Sequence, residues 1–126
     1  NRSGQPVASL KGYYKIPNDN IIVVHDDLDL ESGVVRCKRK GGHGGHNGLR
    51  DIIKHIGNDF LRIRVGIGRP PEGWETANYV LGRWNSKEIE TLEQMKDESI
   101  RAIESILQDG IDATMNKFNI RNTKLI

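Results

Sequence analysis

Ile21-Ile22-Val23-Val24-His25 runs directly into Asp26-Asp27-Leu28-Asp29. The first five residues form a continuous apolar, mostly β-branched run. Its length and composition predict a strand buried on both faces, with carboxylates taking over at its C-terminal end. Upstream, residues 3–15 predict a helix, with Ser3 placed to cap it and Val7, Leu10 and Tyr14 recurring on one face. Ile16-Pro17-Asn18-Asp19-Asn20 breaks that helix before the strand begins.

Downstream, residues 30–33 read as a turn and residues 34–39 as a weakly alternating second strand. A glycine-rich loop then leads into a helix opening at Asn47 or Gly48 and running to about Ile56, with Leu49, Ile52, Ile53 and Ile56 on its buried side; Gly57-Asn58 stops it. Residues 61–67 alternate cleanly, Leu61, Ile63, Val65 and Ile67 facing one way and Arg62 and Arg64 the other. Residues 68–77 read as a Pro/Gly loop and residues 79–82 as a short apolar piece. Asn85 or Ser86 is expected to cap a long helix whose apolar stripe, Ile89, Leu92, Met95, Ile100, Ile103, Ile106 and Leu107, predicts core packing. Gly110 breaks it, residues 111–118 predict a final short helix, and residues 119–126 a polar tail. Strands alternating with helices predict an α/β domain with a central sheet, and ligands of such sheets sit beyond the carboxyl ends of the strands.

The 126 residues are one domain's worth, and 36% hydrophobic with 29% charged residues is an ordinary globular composition. A net charge of +2 excludes a generally basic surface, so nucleic-acid binding requires a local basic patch. The one cysteine, Cys37, excludes an internal disulfide and fits a reducing compartment. No apolar run approaches membrane-spanning length, and no secretory pattern opens the chain; the expectation is a cytoplasmic protein with no membrane partner. Asn1-Arg2-Ser3-Gly4 reads as a loop entering a helix, so a further N-terminal part of the protein is expected before Asn1.

The chemistry concentrates in Lys38-Arg39-Lys40-Gly41-Gly42-His43-Gly44-Gly45-His46-Asn47-Gly48-Leu49-Arg50-Asp51. Glycines at 41, 42, 44, 45 and 48 sacrifice backbone entropy and side-chain burial, which suits backbone that approaches a ligand closely. Free N–H groups in such a loop, with a helix N-terminus behind them, make an anion site, and a mobile connector is the plainer alternative. His43 and His46, with Asp26, Asp27 or Asp29, have the donor types of a metal site, on a spacing that is weak by itself. His25 reads as a satisfied structural histidine and His55 as a surface one. Asp26 is suited to hold a histidine ring N–H, or to make a turn. Asn47 can bind a carbonyl or orient water, or simply cap the helix.

Together these residues resemble the bacterial-type peptidyl-tRNA hydrolase family. The resemblance is carried by Asn1 to Gly4, Val24-His25-Asp26-Asp27-Leu28-Asp29-Leu30, Gly41 to Asp51, Arg62 to Pro70 and Tyr79-Val80-Leu81-Gly82, in matching order and spacing. It implies a single α/β domain over residues 1–126, with a mixed, mostly parallel sheet flanked by helices. It also implies hydrolysis of the ester linking peptide to tRNA, with peptidyl-tRNA as partner and no metal or organic cofactor. By position, Asp26 matches the aspartate that supports the catalytic histidine. Asn1 and Asn47 match asparagines of the substrate cleft, where Asn47 helps place the attacking water. His46 matches a histidine lining that cleft, and Lys38 and Arg64 match the basic pair that clamps the tRNA 5′ phosphate. Gly44 belongs to the loop expected to grip phosphate.

The family's catalytic histidine lies in an N-terminal motif without counterpart in these 126 residues. The domain is therefore expected to lack its N-terminal strand and catalytic-histidine segment, and to be inactive alone. Two other readings stay open: a non-catalytic RNA-binding protein on the same scaffold, and a metal-dependent phosphohydrolase using His43, His46 and Asp26.

Overall fold

The computed structural model describes residues 2–68 and 86–123. The elements run α1 (Gly4–Tyr14), β1 (Ile22–Asp27), β2 (Val35–Arg39), α2 (Asn47–Ile56), β3 (Leu61–Gly66), α3 (Ser86–Asp109) and α4 (Ile111–Thr123). The expected features at residues 69–85, at Asn1 and at residues 124–126 lie outside the described residues. No described helix is long and apolar enough to cross a membrane.

The sheet is mixed, with β3 in the middle: β1 pairs with it in parallel and β2 antiparallel. Register then fixes the two faces, because strand side chains alternate. Val23 lies opposite Arg62 and His25 opposite Arg64, while Arg36 pairs with Arg64 and Lys38 with Arg62. One face therefore carries His25 and the basic residues. At its other end Val23 joins Leu49, Ile52 and Phe60 in a small core with Val7. The opposite face carries Val35, Cys37, Leu61 and Ile63, which pack with Met95, Ala102, Ile106 and Phe118 in the larger core.

Several sequence expectations are corrected here. The run at residues 21–25 is not buried on both faces, since β1 ends the sheet among the described residues and leaves Val24 47% exposed. Ser3 makes no side-chain cap, having helical rather than extended dihedrals. The start of α1 is held instead by Asp51, whose carboxylate accepts the Gly4 N–H at 2.7 Å. Leu10 and Tyr14 are exposed, so the expected apolar face of α1 is buried only in part.

The expected stripe of α3 is buried in part: Met95 and Ile106 are core residues and Ile103 packs against them. Its buried line is Met95, Ser99, Ala102, Ser105 and Ile106, whereas Ile89, Leu92, Ile100 and Leu107 are exposed. Small residues at 99, 102 and 105 face the sheet and α4, and the Ser105 and Thr114 hydroxyls hydrogen-bond at 2.7 Å. One residue along a helix is a 100° turn, which carries Ile100 and Leu107 off the packed line. The final helix runs to Thr123 instead of ending at 118. Asn119 explains part of this, because its side chain accepts from the Cys37 N–H at 2.8 Å and donates to the Cys37 carbonyl at 3.0 Å. The amide thereby stands in for a neighbouring strand at the outer edge of β2.

Candidate active site

The end of β1 and the start of α2 meet at one corner. Asp26 Oδ1 and His46 Nε2 are 2.8 Å apart, at the C-terminal end of β1 and the N-terminus of α2. His46, not Asn47, is the N-cap of α2. Its backbone is extended, and its Nδ1 accepts the Leu49 N–H at 3.1 Å. Asn47 is the first helical residue and is exposed, so its side chain is left for other uses.

These contacts fix the chemistry of His46. A backbone N–H can only donate, so Nδ1 is the acceptor and Nε2 carries the proton given to Asp26. Both ring nitrogens are committed, and protonating Nδ1 would uncap α2. His46 in this state orients and donates; it has no free lone pair with which to take a proton from water.

His25 stands edge-on to His46, with ring centroids 5.6 Å apart. Its Nδ1 lies 3.0 Å from the Asp26 carbonyl, which fixes the Nδ1–H tautomer. Its Nε2 is buried and has no hydrogen-bond partner among the described residues, so within them His25 is not the satisfied histidine the sequence suggested. Burial lowers its pKa; the bond to Asp26 opposes this, and the Arg62 charge and His46 reinforce it.

A cleft of about 440 Å³ opens beside this corner, and its walls include Ser3, Val24, His25, Asp26, His46 and Leu92. Residues from both faces of the sheet line it, which places it along the outer edge of β1. Its lining is mostly apolar with a histidine–carboxylate pair at one end, a composition suited to an organic substrate held at a few polar points.

The basic residues lie on the next two strands, Arg64 on β3 and Lys38 on β2. Arg64 faces His25 across the β1–β3 pair, and Lys38 is its diagonal neighbour on β2. Arg64 Nε donates to Asp27 Oδ2 at 2.8 Å. Desolvation pushes the Asp27 carboxyl up, but hydrogen bonds from Arg64 and the Asp29 N–H outweigh it and leave the pKa lowered. Asp27 is thus both a turn residue and the counter-ion that aims Arg64. Arg62, placed by sequence on the polar face, is 4% exposed, because the glycine loop folds over it. Gly44 has a φ of 56° and open space where a Cβ would stand, so the loop tip is accessible backbone.

The structure therefore brings Asp26 and His46 into contact, sets Lys38 and Arg64 on one face, and leaves Asn47 at the rim; Asn1 lies outside the described residues. His43 spends its Nδ1 on the loop itself, accepting the Gly45 N–H at 2.9 Å. Among the described residues no group of three His, Cys, Asp or Glu side chains is placed to hold a metal ion. Burial pushes the Cys37 thiol up to about 11, which suits a core residue and not a nucleophile. Sequence reasoning missed Arg62 and the open valence of His25. A partial signal for Arg62 was present: consecutive glycines leave backbone carbonyls without side chains to cover them.

Fold and site define an α/β protein with a histidine–carboxylate corner at its strand ends and a basic sheet face beside it. A sequence profile described as Peptidyl-tRNA hydrolase matches residues 1–125. Over 121 residues the chain is 47% identical to the peptidyl-tRNA hydrolase of Aliarcobacter butzleri, covering 96% of this chain and 66% of that protein. It is 50% identical to that of Rubrobacter xylanophilus, covering 96% of this chain and 64% of the relative. The crystal structure of peptidyl-tRNA hydrolase from Acinetobacter baumannii matches with a TM-score of 0.85 at 41% identity, over 94% of this chain and 60% of that one. The chain belongs to the peptidyl-tRNA hydrolase family, and it spans 60% to 66% of the length of these three relatives.

Proposed function

We propose that these residues form the carboxylate corner and the tRNA grip of a cytoplasmic enzyme that hydrolyses the ester of peptidyl-tRNA, releasing tRNA and peptide. The observation that carries this reading is the Asp26–His46 hydrogen bond at the end of an apolar cleft, with Arg64 one strand away and Lys38 two. An ester between a peptide and a phosphate-rich polymer needs both halves: a place to activate water and a place to hold phosphate.

In this mechanism a histidine outside these 126 residues is the general base, and residues 1–126 are the larger part of a single domain. His46 is committed at both nitrogens, and the Nε2 of His25 is buried. Asp26 holds the base in the right tautomer and stabilises its protonated form. Asn47, exposed at the helix start, and Asn1 hold the substrate ester and help place the water. Developing charge on the ester oxygen is met by these amides and by backbone N–H groups at the start of α2. Lys38, Arg64 and the Gly44 region take the 5′ phosphate, recognising tRNA by backbone and shape.

The test is to assay the 126-residue chain and a protein of full family length against peptidyl-tRNA. Turnover by the longer protein, with none above background for the shorter, is the expected result. Full-rate cleavage by the 126-residue chain would place the base within it, on His46 or His25. Tight tRNA binding with no cleavage by either protein would favour a non-catalytic RNA-binding role.

A further inference from the structure

Arg62 is a buried arginine whose carbonyl contacts all lie in one loop. Its Nη1 donates to the Gly42 carbonyl at 2.8 Å and its Nη2 to the Lys40 carbonyl at 2.9 Å. The loop is shaped around it. Lys40 has a φ of 64°, a left-handed conformation that a residue with a side chain rarely adopts, and Gly41 has a φ of 130°. A Cβ on Gly41 would collide with the Arg62 guanidinium and stand 3.0 Å from Lys38 Nζ, so only glycine lets the loop close over both cations.

The direction of these carbonyls has a consequence. In a trans peptide the C=O and N–H point opposite ways, and no described peptide bond is cis. Turning the Lys40 and Gly42 carbonyls inward onto Arg62 turns the N–H groups of Gly41 and His43 outward. Neither N–H is spent on another backbone group among the described residues. Lys38, opposite Arg62 in the β2–β3 register, brings its Nζ beside Gly41, the first of these two residues.

We propose that Arg62 is the positioning residue of the phosphate grip: it holds the glycine loop so that the Gly41 and His43 N–H groups, with Lys38, bind a terminal phosphate. Arg62 itself does not touch the ligand. A forked guanidinium is required because two carbonyls must be held at once in a fixed geometry, which an ammonium on a flexible stem does not impose. The inference rests on reading the basic face as the grip for the tRNA 5′ phosphate, and it adds the backbone groups and the residue that orients them.

The experiment measures binding of the 126-residue chain to two RNA hairpins of one sequence, one 5′-phosphorylated and one 5′-hydroxyl. The wild-type chain is expected to prefer the phosphorylated hairpin by about tenfold, as one charge-assisted contact set allows. That hairpin alone should shift the backbone amide resonances of Gly41 and His43. Arg62→Lys keeps the charge and removes the fork; it should abolish the preference while leaving affinity for the 5′-hydroxyl hairpin within about twofold. Gly41→Ala attacks the same contact from the loop side, should give the same result, and serves if Arg62→Lys fails to fold. A variant that merely loosened the fold would weaken both hairpins alike and keep their ratio. Retention of the preference by a folded variant of either kind overturns the role of Arg62. A wild-type chain with no preference overturns the phosphate reading itself, and this inference with it.

Discussion

The Asp26–His46 corner and the basic face beside it share one sheet, yet they are held in opposite ways. The corner lies at the outer edge of β1, half-open, and is fixed by a chain of directional bonds from the Leu49 N–H through His46 to Asp26. The basic face is fixed from within. Arg62 is buried under the loop it braces, and Arg64 is tied to Asp27 before any ligand arrives. Hydrogen bonds at an exposed edge set which atom carries a proton. Buried charges set where a field points, and their low-dielectric surroundings keep it strong. The difference suits a division of labour in which the corner serves the chemical step and the strand face serves grip.

Substitutions can break or sharpen that contrast. The largest effect is expected for Asp26→Asn, which keeps shape but loses the charge that supports a protonated histidine. In a protein of full family length it should lower kcat by about 100-fold or more, with little change in tRNA affinity. Steady-state kinetics alongside equilibrium binding would reveal a comparable loss in both, and that result would sink the division. Lys38→Ala and Arg64→Ala should do the converse. Each should weaken tRNA binding by about tenfold at low salt and flatten the logarithmic salt dependence by about 0.7–0.9, leaving single-turnover cleavage at saturation nearly unchanged.

Smaller effects test how the corner is built. His46→Ala removes the N-cap of α2 and should cost about 1 kcal/mol in urea unfolding. His46→Asn, a good cap too short to keep the Asp26 contact, should recover most of that stability without recovering turnover. Equal stabilities for the two variants would mean the cap contributes nothing. The smallest expected effect is on acid stability. His25 has a lower pKa folded than unfolded, so as pH falls below the ordinary histidine value of about 6.5 the unfolded chain takes up a proton that the folded chain refuses. Stability should therefore be intact above that pH and decline below it. Asp27, also lowered, should add a second decline beneath the ordinary carboxylate range. Unfolding measured from pH 7.5 to 5 should show the first slope, and His25→Gln should flatten it.

Much of the architecture was legible from residue order. β-Branched runs and alternation located β1, β2 and β3 to within a residue or two, and Gly57 and Gly110 stop helices where glycine was read as a breaker. Those signals are local, and local conformational preference is enough to carry them. The stripe of α3 was legible only in part, at Met95, Ile103 and Ile106, because periodicity shows that a helix has an apolar side, not which line its neighbours leave room for. Ser99, Ala102 and Ser105 hold the contact by being small, and the larger Ile100 and Leu107 stay outside.

The site divides along the same line. The sequence by itself determined that a carboxylate ends a strand and that a glycine loop bears histidines and cations. Those facts depend on residue type and spacing. Only the tertiary structure decided that His46 caps α2 and donates to Asp26, that Arg64 is aimed by Asp27, and that Arg62 is wrapped inside the loop. The reason is that partners 20, 37 and 22 residues apart in the chain meet only through the sheet register and the packing of the loop over it. A hydrogen bond's direction, and so the position of a proton, is a property of that meeting and of no single segment.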